Sequence, residues 1–184
     1  MGRERDAVMS VTAVAFALTI LLLGDQDAGL HAVWKDGEIR QTYDSKTRVT
    51  DLFLAWLPSC AQANPTVTFH ATFKGREPAA PPESIAVRAD LGIRYSPNVV
   101  RTMTLSFTVD DGSVVDLSSR ARPPMTPFEP GSAIENASAQ LDLADFIHLL
   151  TASRVTLNVF GSSCKVSAFE MEALRRFAKI AIPR

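Results

Sequence analysis

The sequence is poor in the residue types from which catalytic and metal centres are usually built. Among its 184 residues are three histidines and two cysteines. His31, His70 and His148 show neither H-x-x-x-H nor H-x-H spacing, and Cys60 and Cys164 have no second cysteine close by, so no metal motif of ordinary spacing is present. A thiol nucleophile needs a neighbouring base and an electropositive setting, and none of the three histidines falls in such a context. Net charge is also lacking: 19 basic residues face 20 acidic ones. That balance gives no general attraction to nucleic acid or to acidic membranes. Fourteen of the basic residues are Arg, spread along the chain without a polybasic patch. No internal repeat is visible and no cofactor is implied. The absence of charge does not signal disorder, because charged residues make up 21% and mean hydropathy is +0.06.

What the chain does contain begins with an apolar N-terminus. Ala7 to Gly24 are eighteen consecutive uncharged positions, preceded by Arg3 and Arg5 and followed by Asp25 and Asp27. A basic start followed by an apolar run is the pattern of an export signal. Eighteen residues also reach the lower limit for a membrane-spanning helix. Only Ser10, Thr12 and Thr19 interrupt the run, whereas a buried core helix would show polar residues at helical spacing. No clean A-x-A-like cleavage site follows, so residues 1–28 are read as either an export signal or a retained membrane anchor. Either way, the domain 29–184 is expected outside the cytoplasm, and membrane contact is expected only through residues 7–24 if they are uncleaved. Two basic and four acidic residues lie in the first 28, which leaves 17 basic and 16 acidic for the exported part.

That part reads mainly as strands. Val67, Phe69, Ala71 and Phe73 alternate with Thr66, Thr68, His70 and Thr72, a period of two that marks a half-buried strand. Ser84 to Leu91 and Thr102 to Val109 repeat the pattern. Asp110-Asp111-Gly112 supplies a hairpin turn into Val114 to Leu117, and Asp36-Gly37 between Leu30–Lys35 and Glu38–Tyr43 predicts another. Two Pro-rich stretches, 76–84 and 122–132, read as surface loops. The last third changes period. Leu143, Phe146, Ile147 and Leu150 have helical spacing with Asp142 placed to cap them, and Arg154 to Phe160 is a strand. Cys164 to Ser167 is a short strand after the turn at Gly161. Ser167 and Glu170 then form an S-x-x-E capping box for a final helix with an apolar stripe of Phe169, Ala173, Leu174, Phe177 and Ala181. The expected fold is α+β and β-rich: antiparallel, sandwich-like sheets with a short helix and a capped C-terminal helix.

Phe107-Thr-Val-Asp-Asp-Gly112, Leu141-Asp-Leu-Ala-Asp-Phe146, Ala152 to Gly161 and Phe169 to Ala178 occur in an order that resembles a C-terminal module of uncharacterised exported bacterial proteins. A looser similarity extends to periplasmic accessory proteins of type VI secretion systems. The resemblance spans roughly residues 100–180 and lies in packing signatures. The Trp-Arg pair associated with the preceding strand is absent, and Val99-Val100-Arg101 stand in its place. The resemblance implies a periplasmic or other extracytoplasmic location and transfers no catalytic residue.

Few side chains invite a chemical reading. Outside the cytoplasm Cys60 and Cys164 are expected to pair, and constraining so long a loop stabilises by up to about 4–5 kcal/mol. The S-x-x-K of Ser162 to Lys165 lacks the S-D-N and K-T-G partners of serine enzymes that use it. Asp110, Asp111 and Asp116 lack the alternating ligands and twelfth-position Glu of a calcium loop. Asn136-Ala137-Ser138 is a sequon that matters only in a eukaryotic secretory pathway. Asp51 to Leu57 is nearly all apolar and fits a buried strand or short helix, or a partner-binding patch through Phe53 and Trp56. Pro127 and Phe128, in the stretch 122–132, are the other candidate partner contacts. The expectation is a non-catalytic exported module that binds a protein or envelope component. An exported hydrolase using dispersed carboxylates and a secreted inhibitor or accessory subunit are the alternatives.

Overall fold

The computed structural model describes residues 34–60, 64–94, 104–117, 125–129 and 132–183. The expected alternation builds a six-stranded antiparallel sheet from β1 (Glu38–Asp44), β2 (Val49–Trp56), β3 (Thr66–Lys74), β4 (Ser84–Arg94), β7 (Met125–Glu129) and β8 (Ser132–Asp142), in the order β1-β2-β3-β4-β8-β7. A four-stranded antiparallel sheet contains β5 (Leu105–Val109), β6 (Val114–Asp116), β9 (Val155–Val159) and β10 (Ser162–Lys165), in the order β10-β9-β5-β6. Among the described residues there are two helices, α1 (Leu143–Thr151) and α2 (Ala168–Ala181). The α+β, β-rich architecture is therefore established, and Lys35–Arg184 forms one compact unit.

Period-two placement decides which side chains become core. Leu52, Leu54 and Trp56 of β2 align with Ala71, Phe69 and Val67 of β3, and all six are buried. Ile85, Val87 and Ala89 continue this face across β4, and Leu141, Ala139 and Ala137 across β8. The small sheet contributes Leu105, Phe107, Val155, Leu157 and Val159 to the same cluster. Phe69 and Phe107, one from each sheet, have ring centroids 6.2 Å apart. Burying an aromatic or aliphatic side chain of this size is worth about 1.5–3 kcal/mol, so the shared face is what joins the sheets.

The helices close the core. α1 buries Phe146 and Leu149, while α2 buries Met171, Ala173, Leu174, Phe177, Ala178 and Ala181. Phe146 and Phe177 meet edge to face at 6.2 Å. The capping box forms: Ser167 Oγ accepts from the Glu170 N–H, and Glu170 Oε2 accepts from the Ser167 N–H at 2.6 Å. The Arg175 guanidinium donates to the Leu150 and Ala152 carbonyls, satisfying the end of α1.

Several expectations change. Phe169 belongs by spacing to the buried stripe of α2 yet is 56% exposed, because the helix turns its Met171 and Ala178 side inward instead. Asp142 occupies the N-cap of α1 without a side-chain cap hydrogen bond. Asp36-Gly37 is a turn closed by the Glu38 N–H donating to the Lys35 carbonyl, and it leads into β1. Trp34 and Lys35 are not strand, Leu30–Val33 lie outside the described residues, and β1 pairs with β2 through the turn at Ser45–Arg48. The stretch read as loop 122–132 contains β7, and the unassigned residues after it form β8. Pro127 is tolerated there because β7 is, among the described residues, an edge strand whose pairing with β8 slips between Pro127 and Glu129.

Candidate functional site

Cys60 and Cys164 form a disulfide with Cα atoms 4.5 Å apart, and their backbones make an isolated antiparallel bridge. Cys164 arrives on the inner side of β10 and is fully buried, while Cys60 lies beyond the end of β2. The bond thus ties the segment after β2 to the small sheet. Neither sulfur is available as a nucleophile.

The aromatic patch posited around Phe53 and Trp56 does not form. The two residues are three apart on one strand, so they point to opposite faces. Trp56 is wholly buried and packs edge to face on Phe69 at 4.7 Å. Phe53 is half-buried on the outer face, where its ring stacks on His70 at 4.2 Å with planes 6° apart. His70 Nε2 lies 2.7 Å from Asp51 Oδ1, and the Thr72 hydroxyl is 3.1 Å from each of these atoms. Cross-strand pairing of Phe53 with His70 and of Asp51 with Thr72 creates this group. With Nε2 directed at Asp51 and Thr72, the imidazole is held flat over Phe53. Arg88 bridges Asp90 at 2.8 Å on the same sheet face, where burial pushes the Asp90 carboxyl above its ordinary range despite the lowering effect of Arg88. The outer face is thus a solvated surface of matched polar pairs. Pro127 and Phe128 lie in β7, whose side chains are outside the described set.

The hydroxyl of Ser113 is 3.1 Å from His148 Nε2, with both residues exposed at the β5–β6 hairpin and the outer side of α1. This resembles a nucleophile–base contact, but the adjacent Asp111 carboxylate accepts from the Ser113 N–H at 2.8 Å and serves the turn. Hydrogen bonds from Ser113 hold that carboxyl below its ordinary range, with His148 contributing last. Asp110 is likewise structural. Its carboxylate accepts from the Ser153 N–H, the Ser153 hydroxyl and the Arg154 N–H, and these contacts, led by the Ser153 N–H, hold it below its ordinary range. Asn136 of the sequon is buried within β8. Among the described residues no group of three His, Cys, Asp or Glu side chains is placed to hold a metal ion.

A concave feature with converging polar groups lies elsewhere. A cavity of about 400 Å³ is lined by Gln41 of β1, by Arg76, Glu77 and Pro78 of the β3–β4 loop, and by Lys179, Ile180 and Pro183 at the end of α2. Its parts are positioned, not loose. The Gln41 amide donates to the Arg76 carbonyl at 3.1 Å, and the Arg76 guanidinium sits 4.5 Å over the Tyr43 ring. Two cations and one carboxylate therefore converge beside β1, which ends the large sheet among the described residues. No spacing in the sequence signals this site, since its residues come from three elements up to 142 positions apart. The chain matches no family model, no curated protein and no solved structure.

Proposed function

We propose that this protein is a non-catalytic exported binding module, located outside the cytoplasm, whose partner is a protein or another envelope component. The single observation that carries the compartment is the Cys60–Cys164 disulfide, since such bonds persist where the surroundings oxidise. The apolar run 7–24, outside the described residues, and the resemblance to exported bacterial proteins point the same way. For binding, the edge strand β1 with the Arg76–Lys179 cavity beside it suits an extended segment that adds to the sheet and places an acidic group in the cavity. A photo-crosslinking residue at position 41, used in the native envelope, should yield one discrete protein adduct that the R76E/K179E pair abolishes. The same residue at Asn158, on the outer face of the small sheet, should yield none. Equal yields from both positions would remove the proposed surface.

A hydrolase is the second reading, and the Ser113–His148 contact is the observation in its favour. A fluorophosphonate reagent decides between them: stoichiometric labelling lost in S113A would establish an activated serine. An unlabelled protein is expected.

A further inference from the structure

Large hydrophobic side chains that stay exposed in the folded domain include Phe169 at 56%, Leu57 at 40%, Val114 and Ile147. Phe169 and Leu57 flank the same turn, Lys35 to Glu38. The Phe169 ring lies over Gly37, so close that a Cβ added there would meet its Cε1 at 2.6 Å. The Leu57 N–H donates to Asp36 Oδ1 at 2.9 Å. The turn itself is firmly held. Lys35 N–H donates to Glu38 Oε2 at 2.8 Å, Gly37 N–H to the Ala55 carbonyl at 2.8 Å, and the Arg176 guanidinium to the Gly37 carbonyl at 3.5 Å. The point at which the chain enters the domain is therefore fixed against β2 and the first turns of α2.

Ten residues, Asp25 to Trp34, separate this entry point from the apolar run that ends at Gly24. Fully extended, that length spans at most about 35 Å. If residues 7–24 stay in the membrane, the Lys35–Gly37 end must lie within that distance of it, and apolar side chains there gain by leaving water. We propose that this end of the domain rests on the bilayer surface, with Phe169 and Leu57 as its apolar contacts. The proposal rests on the reading of residues 7–24 as a retained anchor.

The test uses the full chain in vesicles of phosphatidylcholine with a minor fraction of phosphatidylglycerol. Benzoylphenylalanine is placed singly at positions 169, 57, 114 and 147, and adducts are identified by mass spectrometry after illumination. The expected result is lipid adducts from positions 169 and 57 and their absence at 114 and 147. Equal lipid labelling at all four positions, or protein dimers in place of lipid adducts at 169, would overturn the surface assignment. The intact mass of the protein recovered from cell membranes separates the two claims. A chain lacking residues 1–28 defeats the anchor reading and the proposal with it. A chain that retains them but gives no lipid adduct defeats the proposal alone.

Discussion

Replacing Gly37 by alanine probes the junction of turn, strand and helix with a single methyl group. Gly37 has φ +68°, in the left-handed region where a residue with a Cβ pays about 1–2 kcal/mol. The new Cβ would also lie 2.6 Å from Cε1 and 2.9 Å from Cζ of Phe169, and 3.3 Å from the Ala173 Cβ. Ala173 sits on the buried face of α2 and cannot retreat, whereas the half-exposed Phe169 ring can swing outward at the cost of its contact with the turn. Overpacking of this kind typically adds about 1–3 kcal/mol. Gly37→Ala should therefore destabilise by roughly 2–5 kcal/mol in total. In a Phe169→Ala background only the backbone strain and the milder Ala173 contact remain, so the same change should cost roughly 1–2 kcal/mol. Urea unfolding of the full chain in a mild non-ionic detergent, followed by tryptophan fluorescence, gives the four corners of this cycle. Equal losses in the two backgrounds would show that the ring does not press on the turn. A loss near zero in both would mean that Gly37 is not held in its left-handed conformation.

Other perturbations test separate parts of the fold. Reducing the Cys60–Cys164 bond, or replacing both residues by alanine, should lower stability by about 3–5 kcal/mol, read as a shift in the urea midpoint; no shift would make the bond ornamental. Ser167→Ala removes one half of the capping box and should cost about 1 kcal/mol in the same assay. Because the Asp110 carboxyl is held below its ordinary range, the stability it contributes is complete above the usual carboxylate pKa. That stability is lost as pH falls through the lower folded value. Asp110→Asn should accordingly flatten the acid limb of a plot of melting temperature against pH, and an unchanged limb would refute this assignment. Phe107→Ala, which removes a fully buried ring between the sheets, should cost about 3–5 kcal/mol.

The parts of the fold legible in the sequence are those where side-chain size alternates sharply. In β3 and β9 bulky apolar residues alternate with Thr, Asn or His, and both lie where the pattern placed them. β8 escaped detection because its inward positions include Ala137 and Ala139, small residues with little preference for strands. β7 was obscured by Pro127, which removes a backbone donor and argues for a loop unless the strand is known to lie at an edge. The spacing of α2 gave its length and cap but misjudged Phe169, since the inward direction depends on what the helix packs against. The disulfide could be inferred because there were only two cysteines to join. The Arg76–Lys179 cavity could not, because no local rule brings β1, a loop and a helix end together.

The single cross-link also sets an order of events during synthesis. Cys60 emerges 104 residues before its partner, an interval of about 5–20 s at ordinary rates of translation. Throughout that time it is a lone thiol with nothing of its own chain to react with. A protein with four cysteines could trap a wrong pairing in that interval, whereas this one has no wrong intramolecular pairing to make. Errors must instead pass between molecules, so faulty oxidation should appear as covalent dimers that diminish on dilution, while the correct bond forms independently of concentration.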